Sequence, residues 1–402
     1  MSVVINRGSG IRRQSTLLLL VVIVLFGVGF SSVVWSNRSL PPSAALHTVT
    51  VGINPIQVVA DGARGHVFVL NSGYGRGRDM STLTMLDAQN GNVLHTTALS
   101  QYSLNMIIDH ATGRLFVSND MAGTVSIIDA RTGTIKGTVL VGPSPIMSVD
   151  ERTGRVFVVV PATNKVGMLD ARSGRVIRVV RVPIGPEDAV VDAGTGRVFI
   201  FCDTITGRTQ QHPSVAVLDA RSGVVLRVIP GLAGQGLVNN RTGALYLART
   251  GIISVLNGRT AMIRHTIAFA HPYGPIAVDE TSGRLFVVEA YSHVVIMVDG
   301  QTGRVLARAT SAPANGVEDT IAMDSRNGHV LLTGNGETVV FDARSGKILR
   351  TIMIGGVIGV DSQTGHVFLA QAHEGRQITV GVGPLHVTFG SDAGSVSMIA
   401  TT

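Results

Sequence analysis

The sequence predicts an all-β chain: a β-propeller of eight four-stranded blades, with seven as the alternative, closed by an N-terminal strand and preceded by one transmembrane helix. Three observations carry this. A Gly-closed break that begins with Asp or Asn recurs eight times. The apolar segments around the breaks are nearly continuous and lack helical periodicity. One run of 19 residues near the N-terminus carries no charge.

That run, residues 17–35, follows Arg7, Arg12 and Arg13. A helix of this length crosses roughly 30 Å of hydrocarbon, and its basic flank places the N-terminus in the cytoplasm. The expected organisation is a short basic tail (1–14), a transmembrane anchor or signal segment (15–36), a polar linker (37–46) and the propeller (47–402). The protein is then single-pass, with the propeller outside the cytoplasm. Ser43, Ala44 and Ala45 offer small residues for cleavage, so secretion after signal removal is the alternative.

The breaks at Asp61, Asp109, Asp150, Asp192, Asn239, Asp279, Asp324 and Asp361 are separated by 48, 41, 42, 47, 40, 45 and 37 residues. A period near 40 with several strands per copy is the signature of a propeller. In each break the Asp or Asn side chain can bind an amide two residues on, and Gly takes the positive φ that closes the hairpin. A second break follows each strand pair, as DARTG from Asp129 and DARSG from Asp170, Asp219 and Asp342. One repeat therefore reads strand, tight turn, strand, loop, strand, tight turn, strand. Runs such as 115–117, 156–160 and 198–201 are apolar without alternation, which requires both faces of the sheet to be covered. The eighth copy ends one strand short, and residues 47–52, HTVTVG, match the fourth-strand ending at 138–142. The N-terminal strand is expected to complete the last blade and remove the free edges.

Composition narrows function. The formal charge is +7, but Arg7, Arg12, Arg13 and Arg38 supply four of those charges ahead of the propeller. Nucleic-acid binding would need clustering that the remaining balance does not provide. Cys202 is the only cysteine, which excludes an internal disulfide and paired-cysteine metal or redox sites. Arginine outnumbers lysine 30 to 3. Arg131, Arg172, Arg221 and Arg344 recur in the DAR turns, where a basic collar that could meet a polyanion is expected to be offset by the adjacent Asp residues. His66, His329 and His366 stand where other copies have Arg114, Arg155, Arg197 and Arg284, and read as repeat drift. His212, His271, His293, His373 and His386 lack the close spacing of a zinc site.

The insertions fall between second and third strands, at 72–81, 203–214 and 371–395, on the face opposite the tight turns. On that face Gln57, Asn105, Asp188, Gln235 and Asp319 begin the inner strands and are the candidate ligand-binding residues. Glu187, Asp188, Glu318 and Asp319 form two acidic pairs. They could hold a divalent cation such as calcium or serve as catalytic acids and bases; the competing expectation is that they solvate a wet channel.

The blade that carries Leu115, Phe116, Val117, Ser118 and Asn119, then Val125, Ser126, Ile127, Ile128 and Asp129, resembles the YVTN-family β-propeller repeat. The resemblance covers about residues 47–402 and implies a bacterial or archaeal surface or periplasmic protein. Related propellers include lactone hydrolases and some nucleic-acid binders. The leading expectation is a membrane-tethered scaffold that binds an unidentified protein or small-molecule ligand through its insertion-rich face. The alternatives are a metal-assisted, lactonase-like hydrolase at the channel mouth and polyanion binding through the Arg-rich face.

Overall fold

The computed structural model describes residues 46–73, 80–203, 213–232, 234–249, 251–269, 273–289, 294–310, 320–334, 336–372, 385–386 and 394–400. Residues 17–35 lie outside these, and among the described residues no helix is long and apolar enough to cross a membrane.

The described strands form seven four-stranded antiparallel sheets and one of five strands. Each sheet is one blade, entered through its inner strand. The inner strands are Pro55–Asp61, Ser103–Asp109, Ile146–Asp150, Pro186–Asp192, Gln235–Asn239, Tyr273–Asp279, Thr320–Asp324 and Val357–Asp361. Each packs against the next around the ring, and the last returns to the first. All of these strands lie in the compact unit Pro42–Thr402.

The local sequence explains the hairpins. In blade two Asp109, fully buried, accepts the Ala111 amide at 3.0 Å and the Thr112 hydroxyl at 2.8 Å. Gly113 then turns the chain at φ 67°, a conformation that costs a residue with a Cβ. Thr153, Thr195 and Thr364 bind Asp150, Asp192 and Asp361 in the same way. Seven blades also carry a register shift near the end of the third strand, as between Ile127 and Ile128. Such bulges strengthen the twist of the outer strand.

The apolar core of the described residues divides into eight clusters, one at each boundary between consecutive blades. That is why the second and third strands are apolar on both faces. Phe68, Phe116, Phe157, Phe199, Tyr246, Phe286 and Phe368 occupy the middle of the second strands and are essentially fully buried. Outer strands are exposed at the perimeter; Val179 is 56% exposed.

The ring closes as the fragment match predicts, with one addition. Leu46–Thr50 pairs antiparallel with Ser395–Ala400, matching Thr48 to Ser397 and Thr50 to Ser395. Leu385–His386 then adds in parallel outside it. Blade eight therefore has five strands where four are expected, because Leu385–His386, from within the 371–395 insertion, pairs with the edge that the N-terminal strand presents.

Candidate functional site

Strand polarity gives the ring two unlike faces. Both tight turns of a blade fall on one face. The connections between second and third strands fall on the other, with the starts of the inner strands. The links at 71–82, 202–214 and 371–395 are of this second kind, so the three insertions share the loop face.

At that face Gln57, Asn105, Asp188, Gln235 and Thr320 occupy one register level, opposite Leu70, Ser118, Phe201, Ala248 and Thr333. Two of them reach sideways. The Gln57 amide donates to the Met106 carbonyl at 2.8 Å and accepts the Met106 amide at 2.7 Å, so it joins blade one to blade two as a strand partner would. Asp188 accepts its own Ala189 amide at 2.8 Å and the Gly236 amide of blade five. Burial nevertheless pushes the Asp188 carboxyl above the usual carboxylate range. Glu187 is exposed, and burial together with the nearby Asp203 carboxylate raises it as well. Blade four thus holds two carboxyls that take up protons more readily than ordinary ones.

Asn105 Oδ1 and Thr320 Oγ1 are buried without a hydrogen-bond partner among the described residues. Gln235 is exposed. Glu318 and Asp319 lie outside the described residues, as do His212, His271, His293 and His373. Among the described residues no group of three or more His, Cys, Asp and Glu side chains is placed to hold a metal ion. Cys202 is buried, and burial pushes its thiol up to about 12, which removes it as a nucleophile.

The Asn of the YVTN-like turn is structural. Asn119, fully buried, donates to Thr124 and Ser126 at 2.9 Å each and accepts from Ser103 at 2.8 Å. Asn71 makes the matching bonds to Thr82 and Thr84 beneath its longer loop.

The tight-turn face departs from expectation twice. His66 and His366 are not drift: the Nδ1 of each meets an alanine carbonyl of the following blade, Ala130 at 2.9 Å and Ala88 at 2.8 Å. Arg284 reaches Ala343 O at 2.9 Å in the same sense. At Arg284 arginine thus takes the cross-blade role of His66 and His366, whereas His329 Nδ1 is buried without a hydrogen-bond partner among the described residues. In blades two to four the turn Asp residues are engaged by strand arginines rather than by the DAR arginines, whereas Asp342 is held down by Ser345 and in part by Arg344. Asp129, Asp170 and Asp219 give one oxygen to turn amides and the other to Arg114, Arg155 and Arg197, at 2.8, 3.1 and 3.4 Å. The Ser173 and Ser222 amides, with the strand arginines, hold Asp170 and Asp219 below the usual carboxylate range.

At the inner rim of this face His110 joins three blades. Nδ1 meets Glu151 at 2.7 Å and Nε2 meets the Ala60 carbonyl at 3.3 Å. Both ring nitrogens face acceptors, an arrangement satisfied by the doubly protonated ring. The Glu151 hydrogen bond accordingly raises His110 against the effect of burial.

Comparison with known proteins agrees with this architecture. No curated protein matches the chain in sequence. Among solved structures, BamB from Moraxella catarrhalis aligns over 89% of this chain and 99% of its own, with 12% identity and a TM-score of 0.55. Sqt1 from Saccharomyces cerevisiae aligns over 90% and 99%, with 11% identity and a TM-score of 0.64. The dihydro-heme d1 dehydrogenase NirN, in complex with DHE, aligns over 79% and 68%, with 16% identity and a TM-score of 0.58. At such identities these likenesses speak for the fold alone. Residues 32–253, just over half of the chain, match the family described as outer membrane protein assembly factor BamB, and the chain belongs to that family of β-propeller repeat proteins.

Proposed function

We propose that this protein is a membrane-tethered, extracytoplasmic scaffold that holds a protein partner on the loop face of its propeller. The observation that carries the reading is the asymmetry of the ring. Tight turns are uniform, whereas the three insertions all connect second to third strands. Repeat proteins vary the face that binds and keep the other regular. Membership in a family named for an assembly factor supports a protein as the partner, and the likeness to the YVTN repeat supports a surface or periplasmic setting. Residues 15–36 supply the tether, with the N-terminus in the cytoplasm.

A second reading is a small polar ligand at the channel mouth, favoured by the unpartnered Asn105 and Thr320 oxygens and by the proton-accepting Glu187 and Asp188. Replacing residues 373–393 by a short Gly-Ser link separates the readings. Loss of a co-purifying protein, with unchanged circular dichroism and unfolding midpoint, is the expected result. Retention of that protein removes the loop-face assignment.

A further inference from the structure

We infer that the tight-turn face of blades two to five is a surface for the anionic headgroups of a lipid bilayer. Arg131, Arg172, Arg221 and Arg259 stand at one turn position in four consecutive blades, and all are exposed. Among the described residues none of their side chains has an ion-pair partner. The carboxylates beside them are occupied, because Asp129, Asp170 and Asp219 bind Arg114, Arg155 and Arg197 of the second strands. In blade five Asn239 and Asn257 stand where other blades carry Asp, so neither turn of that blade contributes an acid of its own beside Arg241 and Arg259. The inner-turn acids Asp109, Asp150 and Asp192 are fully buried behind the turn backbone. Glu151, on the inner turn of blade three, is partly exposed but bound by His110, so the unpaired charge that reaches solvent along this arc is guanidinium, whose fork of donors matches a phosphate.

Shape and connectivity favour a bilayer over other polyanions. The inner turns have one length throughout, from Asp61 to His66 as from Asp109 to Arg114, which gives a level face. Thr50 pairs with Ser395 at the loop end of blade eight, so Leu46 opens its strand at the tight-turn end. The linker 37–46 reaches at most about 35 Å when fully extended. The proposed tether at 15–36 would keep the propeller within that distance of a bilayer; the charge pattern does not depend on it.

The test is amide hydrogen exchange on the full chain in nanodiscs of phosphatidylcholine alone and of phosphatidylcholine with phosphatidylglycerol. Slower exchange at residues 129–133, 170–174 and 219–223 in the anionic discs is expected. Added salt and the variant R131Q/R172Q/R221Q/R259Q should each remove the difference. Equal exchange in both lipids, or protection that survives the four substitutions, overturns the inference. Duplex DNA that protects the same turns without lipid, where anionic discs do not, replaces it with nucleic-acid binding. If the chain does not insert into zwitterionic discs the tether reading fails, and flotation with anionic vesicles decides the face by itself. Binding that drops about a thousandfold in the variant, at about 1 kcal/mol for each arginine, sustains the face, and absence of binding removes it.

Discussion

Closure of the ring by the N-terminal strand can be tested with a covalent staple. Thr48 and Ser397 are directly opposed, with their hydroxyl oxygens 3.4 Å apart and a separation of 349 positions in sequence. Opposed antiparallel residues have Cα atoms about 4.5–5.5 Å apart, within the span of a disulfide. Cys202 will not compete, since it is buried and its thiol is pushed up to about 12. In the variant T48C/S397C a bridge would close a loop of 349 residues. Chain entropy sets an upper limit of about 6 kcal/mol on the stabilisation, and bridges commonly deliver about 2–4 kcal/mol. The assay is urea unfolding with and without reductant, beside a non-reducing gel. The expected result is a monomer of altered mobility whose unfolding midpoint rises only when oxidised. A bridge that forms between chains, that fails to form, or that leaves the midpoint unchanged would refute closure by residues 46–50.

Two further predictions address blade contacts. A Cβ at Gly300 would lie 2.5 Å from both the Gly283 carbonyl oxygen and Tyr246 Oη of the neighbouring blade, so G300A should cost about 1–3 kcal/mol through overpacking. Y246F removes only the second obstacle, so the double variant should recover part of that loss; a G300A variant as stable as the unchanged protein would show that the site is not closed. His110 has a raised folded-state pKa, with Glu151 as the chief cause, and Glu151 is lowered by His110 in turn. The stability His110 contributes is then fully present below its ordinary value of 6.5 and is lost as pH rises through the higher folded value. Glu151 limits the effect from the acid side, where its contribution is lost as pH falls through its own lowered value. The stability difference between the protein and H110A should therefore peak in mildly acidic solution. A difference that does not vary with pH would show that the latch does not form.

What could be read from the sequence was whatever the repeat states locally. The buried Asp109 and its Thr112 partner lie three residues apart, so each hairpin spells itself out. Apolar runs such as 115–117 carry no alternation because a neighbouring blade covers each face. The fragment at 47–52 could be matched because the eighth copy lacked it. Bonds between blades were not legible. His366 reaches Ala88 across 278 residues, and Gln57 binds backbone atoms of Met106, which no side-chain pattern reports. Tyr246 and Gly300 left a readable trace. They are a Tyr among Phe residues and, in the next copy, a Gly where most copies have Ala, and the two residues meet across the blade boundary. The candidate residues on the loop face could be placed on one register level, but which of them would bond to the next blade depended on geometry.

The central claim, that the loop face meets a protein partner, is tested most directly by site-specific photo-cross-linking in cells. A photoreactive residue is placed singly at Met80, Glu187 and Gln235 on the loop face and at Arg131, Arg221 and Arg344 on the turn face, all exposed. Discrete protein adducts from the loop-face positions alone are the predicted result. Adducts from the turn face alone, or none from either face under conditions where the protein is folded and abundant, would contradict the account.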